Sequence, residues 1–168
     1  MYNRSSTIPD LSKELDLSVP TVTKFIMEMC DEGYIMSYGK QETSEGRPPT
    51  LYGLTSDSGY FIGVDIKKFS LNIGLMNFVG DFVDLKMGIP YETENSPEGL
   101  NKLCGYIADF INHANIDKEK ILNIGVNISG RVNPELGYSF SLFNFEERPL
   151  AEIMTEKIGY EVTIDNDT

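Results

Sequence analysis

The sequence predicts two units in tandem, a small α+β unit and then an α/β unit. Three observations carry this. Apolar residues follow helical spacing up to about residue 33 and then give way to two short strands. A polar, turn-forming stretch, Ser56-Asp57-Ser58-Gly59, follows those strands. Beyond it come three apolar runs in quick succession, and then helix and strand signals alternate. The predicted units are residues 1–55 and 59–168.

In the first unit, Thr7 is placed to cap a helix, with Asp10 three residues on and Pro9 in the first turn. Leu11 and Leu15 are four apart and are expected to face inward. Asp16-Leu17 makes a short turn. Ser18 caps a second helix that carries Pro20 in its first turn. Val19, Val22, Ile26 and Met29 are spaced as one buried stripe, and Gly33 ends the helix. Two short helices joined by a tight turn make a helix-turn-helix, whose second helix enters the DNA major groove N-terminus first. Thr21 and Thr23 can bond base edges or phosphates, and Lys24 can neutralise a phosphate. The alternative is an ordinary solvated face on a helical hairpin. Tyr34–Tyr38 and Thr50–Leu54 read as paired strands, which completes the order of a winged helix-turn-helix. The loop between them holds Gly46-Arg47-Pro48-Pro49. There Arg47 is a candidate minor-groove probe, unless the prolines simply stiffen a loop.

The second unit opens with strands over 60–66, 71–76 and 82–87, the last two joined by a hairpin turn at Asn77–Gly80. Pro97 begins a long helix with Leu100, Leu103, Cys104, Ile107, Ala108 and Ile111 on its inner face. A buried strand over 121–128 follows, then a short strand over Ser139–Phe143, a helix over 149–159 and a last strand over 162–164. The order β-β-β-α-β-(β)-α-β is that of the N-terminal lobe of an actin-like (ribonuclease-H-like) fold.

Composition narrows the function. The net charge of −12 argues against binding nucleic acid through a broad basic surface. Residues 1–55 hold only Arg4, Lys13, Lys24, Lys40 and Arg47 against eight carboxylates, so any DNA contact must be local. No apolar run reaches the ~18 residues of a membrane span, and no secretory signal is read at the N-terminus, so a cytoplasmic location is expected. Cys30 and Cys104 are expected to be buried, reduced thiols rather than a disulfide. With no Cys-x-x-Cys pair and a single histidine, His113, no zinc site built from this chain is expected.

Four stretches together resemble the ROK family (repressor, open reading frame, kinase), and within it the regulators of sugar metabolism. Leu17–Thr23 is similar to the turn and recognition helix, and Glu45-Gly46-Arg47-Pro48-Pro49 to the wing signature. Ile124–Val132 is similar to a strand and its following loop. Asn144-Phe145, Pro149-Leu150, Gly159, Val162 and Asp165-Asn166-Asp167 are similar to the run into an Asn-Asp sugar site. The resemblance implies a sugar-responsive DNA-binding regulator, with a sugar kinase as the alternative. It implies operator DNA, a sugar effector and a homodimer or higher homo-oligomer as partners, and no membrane. DNA contacts are expected from Ser18, Pro20, Thr21, Thr23, Lys24 and Arg47. Sugar contacts are expected from Gly130, Asn144, Asn166 and Asp167, the last matching the general base of the kinases. The alternative for Asp165-Asn166-Asp167 is a polar strand end.

Two departures qualify the match. The kinases carry Asp-x-Gly-Gly-Thr after the first strand, where this chain has Asp65-Ile66-Lys67-Lys68-Phe69. Losing both glycines removes the close backbone approach that phosphates need, so no kinase activity is expected. The family also has a helix before the position of Thr7, and a second lobe after the Asn-Asp pair that holds its zinc site. The chain is therefore expected to be a fragment with no cofactor of its own. Poor sugar affinity follows from that expectation, as do apolar faces on the helices over 7–15 and 97–113 that are exposed unless another chain covers them.

Overall fold

The computed structural model describes residues 5–42 and 48–166. The chain divides into two compact units, Met1–Ser58 and Gly59–Thr168.

The first unit runs β1 (Ser5–Thr7), α1 (Ile8–Glu14), α2 (Val19–Asp31), β2 (Ile35–Lys40) and β3 (Thr50–Leu54). Its three strands form one antiparallel sheet in the order β1-β3-β2. Each helix starts where a side chain satisfies its orphan amides. Thr7 Oγ1 accepts from the Asp10 N–H at 3.2 Å and donates to the Asp10 carboxylate at 2.7 Å. The turn between the helices is closed by the Leu17 N–H donating to the Ser12 carbonyl at 3.1 Å. Gly33, at φ +82°, reverses the chain after α2, and the Tyr34 N–H reaches back to the Met29 carbonyl at 2.9 Å.

The buried stripe of α2 is shorter than its spacing predicts. Val22 and Ile26 are buried, but Val19 is 48% exposed and Met29 half-buried. Val19, in the first turn, instead lines an open recess with Ile8, Pro9 and Tyr52. Leu15, expected inside, is 56% exposed, and α1 buries none of its residues. The short strand β1 gave no sequence signal, because Ser5-Ser6-Thr7 has no apolar alternation.

The second unit runs β4 (Tyr60–Ile66), β5 (Ser70–Asn77), β6 (Phe82–Pro90), α3 (Pro97–His113), β7 (Ile121–Ile128), β8 (Val132–Asn133), β9 (Tyr138–Ser139), α4 (Leu150–Ile158) and β10 (Val162–Asn166). Five strands form a mixed sheet in the order β10-β7-β4-β5-β6. β4, β5 and β6 are antiparallel neighbours, while β7 and β10 run parallel to β4. Alternate residues, among them Ile62, Val64, Ile73, Leu75, Ile124, Val126 and Ile164, point into one core with α3 and α4. The apolar face of α3 was expected to lie exposed. Instead Leu100, Leu103 and Ile107 are at most 1% accessible, because α3 packs into that core; each such residue contributes roughly 1.5–3 kcal/mol.

The strand expected over Ser139–Phe143 is also corrected. Only Tyr138–Ser139 pairs, with Val132–Asn133. Phe143 then adopts φ +57°, in the left-handed region that no strand visits. Burial of its ring and a hydrogen bond from its N–H to the Asn95 side-chain oxygen hold it there. Of the two free cysteines, Cys104 is buried and Cys30 only half-buried. Among the described residues no helix is long and apolar enough to cross a membrane.

Candidate functional site

The sequence-predicted residues gather at two places, one in each unit. In the first unit they lie in the opening turns of α2. Ser18 Oγ accepts from the Thr21 N–H at 3.3 Å and shares a 2.7 Å hydrogen bond with the Thr21 hydroxyl. Thr23 Oγ1 donates to the Val19 carbonyl at 2.8 Å. Both threonine hydroxyls are thus engaged within the helix. Ser18 and Pro20 are exposed, and Thr21 and Thr23 half-buried. Lys24 is exposed, with its ammonium 3.7 Å from the Glu28 carboxylate. Arg47, the proposed groove probe, lies outside the described residues.

In the second unit Asn166 ends β10 and Gly130 follows β7, at the carboxyl ends of neighbouring parallel strands, where open α/β sheets bind their ligands; Asn144 lies between β9 and α4. Asn166 closes β10 in register with Ile128, the last residue of β7. Its N–H donates to the Asp165 carboxylate at 2.7 Å. Its side-chain oxygen is buried without a hydrogen-bond partner among the described residues. From Ile128 the chain runs directly into Gly130, at φ +112°. A Cβ there would stand 2.6 Å from Ser141 Cβ, so only glycine fits. Ser141 Oγ in turn accepts from the Arg131 N–H at 2.9 Å, which ties the two ends of the 130–141 segment together. Asn144 is exposed and donates from Nδ2 to the Phe140 carbonyl at 3.2 Å. Asp167 lies outside the described residues.

A recess of about 550 Å³ opens on the same sheet, over residues that include Gly63, Asp65, Asn72, Gly125, Asn127 and Asp165. Gly130, Asn144 and Asn166 do not line it. Across this face the register places Asn72, Asp65, Asn127 and Asp165 side by side. Asp65 is held by Asn72 Nδ2 at 3.0 Å and lies 3.6 Å from the Lys67 ammonium. Apart from Asp65 and Asp165, this polar row was missed in the sequence. The one available signal was a polar residue near the carboxyl end of β4, β7 and β10, and one near the start of β5.

Residues 2–36 match the winged helix-turn-helix DNA-binding family. Over 164 residues the chain is 30% identical to the xylose repressor of Caldicellulosiruptor bescii, covering 94% of this chain and 40% of that protein. It is 25% identical to the xylose repressor of Bacillus subtilis over 159 residues, 94% of this chain and 41% of that protein. The chain therefore spans about two-fifths of the length of these curated relatives. Its fold matches the crystal structure of a ROK family transcriptional regulator, a homolog of the E. coli MLC protein. That match has a TM-score of 0.73 and 25% identity, and covers 97% of this chain and 42% of that one. The second unit's fold is shared with a glucokinase from Parabacteroides distasonis, at TM-score 0.51 and 16% identity over 66% of this chain and 31% of that one. A capped helix-turn-helix with a paired hairpin, followed by this five-stranded sheet, is thus shared with these xylose repressors and with a ROK family transcriptional regulator.

Proposed function

We propose that this chain is part of a sugar-responsive transcriptional repressor. Residues 1–55 bind an operator, and residues 59–168 form part of a sugar-sensing domain. The observation that carries the reading is the exposed, Ser18-capped opening of α2 inside a segment similar to DNA-binding winged helices. Ser18, Pro20, Thr21, Thr23 and Lys24 meet the major groove, and Arg47 enters the adjacent minor groove. The operator is bound by a homodimer, which raises affinity through two weak half-sites. In the second unit Gly130, Asn144, Asn166 and Asp167 receive the sugar. The unpartnered Asn166 oxygen supports this, because a sugar hydroxyl is the donor it needs. Sugar binding changes DNA affinity through a coupling between the two sites. The repressor acts in the cytoplasm.

The test is a selection of duplex DNA from a random library by the chain, followed by titration of the recovered duplex with a panel of sugars that includes xylose. Recovery of one enriched motif, weakened at least several-fold by a sugar, is the expected result. Recovery of no motif overturns the reading. A coupled assay with ATP and the same sugars is expected to give no turnover. The segment after β4 reads Lys67-Lys68-Phe69, where bulk and side-chain charge replace the glycines a phosphate loop requires.

A further inference from the structure

A recess of about 280 Å³ opens in the first unit, lined by the start of α1, the opening turns of α2 and β3. Ile8, Pro9 and Val19 give it carbon walls, and Thr23, Thr50 and Tyr52 bring hydroxyls to it. Val19 is 48% exposed, so the recess stands open to solvent. The Thr23 hydroxyl is engaged by the Val19 carbonyl at 2.8 Å. Thr50 and Tyr52 lie two apart on β3 and so share one face of it. Among the described residues neither of their hydroxyls has a hydrogen-bond partner. Tyr38, on the neighbouring strand, instead donates its hydroxyl to the Leu54 carbonyl at 2.8 Å. Two donors thus line a recess that the unit itself leaves unfilled.

The docking proposed above says what passes over this recess. With α2 in the major groove and Arg47 in the adjacent minor groove, the protein straddles the one sugar-phosphate strand that separates those grooves. That strand runs between α2 and the hairpin, where the recess opens. Resting on the proposed DNA-binding role of α2, we infer that the recess seats a phosphate of this strand, with the Tyr52 and Thr50 hydroxyls as its hydrogen-bond donors. Phosphate oxygens accept hydrogen bonds, and threonine and tyrosine hydroxyls are established donors to them. The carbon walls meet the deoxyribose. Such a contact suits a chain with few cations, because it fixes the protein's register on the duplex without adding positive charge.

The experiment uses the full chain, the duplex recovered by selection from a random library, and an unrelated duplex of the same length. Tyr52→Phe deletes only the hydroxyl. It is expected to weaken binding to both duplexes by the same factor, roughly 10-fold, the effect of one hydrogen bond to an anion. Thr50→Val is expected to weaken both duplexes equally as well. The slope of log affinity on log salt stays that of the parent, because a neutral donor displaces no counterion. Methylphosphonate then replaces the phosphates of the recovered duplex one at a time. At one phosphate per half-site the difference between parent and Tyr52→Phe is expected to vanish. Thermal melts check that both variants fold. Parent-like binding by either variant, a changed salt slope, or a loss confined to the recovered duplex overturns the inference while the DNA-binding reading stands. Enrichment of no sequence by the parent overturns both.

Discussion

Asn166 carries a conflict at the scale of one side chain. A buried acceptor without a donor costs roughly 1–3 kcal/mol, so the native state already bears the penalty at this oxygen. Replacing the amide by an apolar group of similar size removes the penalty along with the acceptor. Asn166→Leu is therefore expected to leave the melting temperature unchanged or to raise it, and to lower affinity for the effector sugar at least 10-fold. Calorimetry with and without sugar reads both quantities. A variant that melts several degrees lower would show the oxygen to be structurally satisfied, against the role given to it. Gly130 poses the opposite case. Its φ of +112° and the 2.6 Å approach to Ser141 mean that even alanine must displace the loop, so Gly130→Ala is expected to cost more than 1 kcal/mol in denaturant unfolding.

At the scale of the element, the caps were the most legible feature of the sequence. Thr7, Ser18 and Gly33 act where they were read, because capping is local chemistry that spacing alone reveals. Ser18→Ala removes the acceptor for the Thr21 N–H, and about 1 kcal/mol of stability is expected to go with it. The positions of Leu15 and Val19 were not legible. Helical spacing says which residues share a face, but not how far along the helix its partner extends. Phe143 likewise sits in an apolar run that reads as a strand, yet burial of its ring and the bond to Asn95 bend the chain. The polar row Asn72-Asp65-Asn127-Asp165 exists only through strand register, which no local signal encodes. The core packing around α3 also makes a pH prediction. Burial raises the Cys104 thiol from 9.0 to about 11, and burial chiefly raises the Tyr91 hydroxyl from 10.0 to about 12. Both groups stay protonated longer in the folded state than in the unfolded one. Their contribution is complete below pH 9 and is lost as pH climbs from about 9 towards 12. The melting temperature of the second unit is expected to fall across that window, and Cys104→Ala is expected to flatten its lower part.

For the whole molecule, the decisive quantity is a net charge of −12 on a chain proposed to bind a polyanion. Two effects of salt then oppose one another. Salt weakens each phosphate contact by making counterion release less favourable, and it also screens the long-range repulsion between protein and DNA. With Lys24 and Arg47 as the proposed phosphate and groove cations, each protomer releases about two counterions. That sets a slope of log affinity on log salt of roughly −2 per protomer at most, and screening makes it shallower. A basic surface of six or more contacts would give a far steeper slope, so anisotropy titrations from low to moderate salt separate the two cases. The Lys24–Glu28 pair sharpens the test. At 3.7 Å and well exposed it contributes little to stability, yet Glu28 offsets the charge that Lys24 presents to phosphate. Glu28→Gln is expected to leave the fold intact, to tighten DNA binding a few-fold at low salt, and to lose that advantage as salt rises. If Glu28→Gln binds as the parent does at every salt concentration, Lys24 does not face the DNA, and the orientation proposed for α2 is wrong.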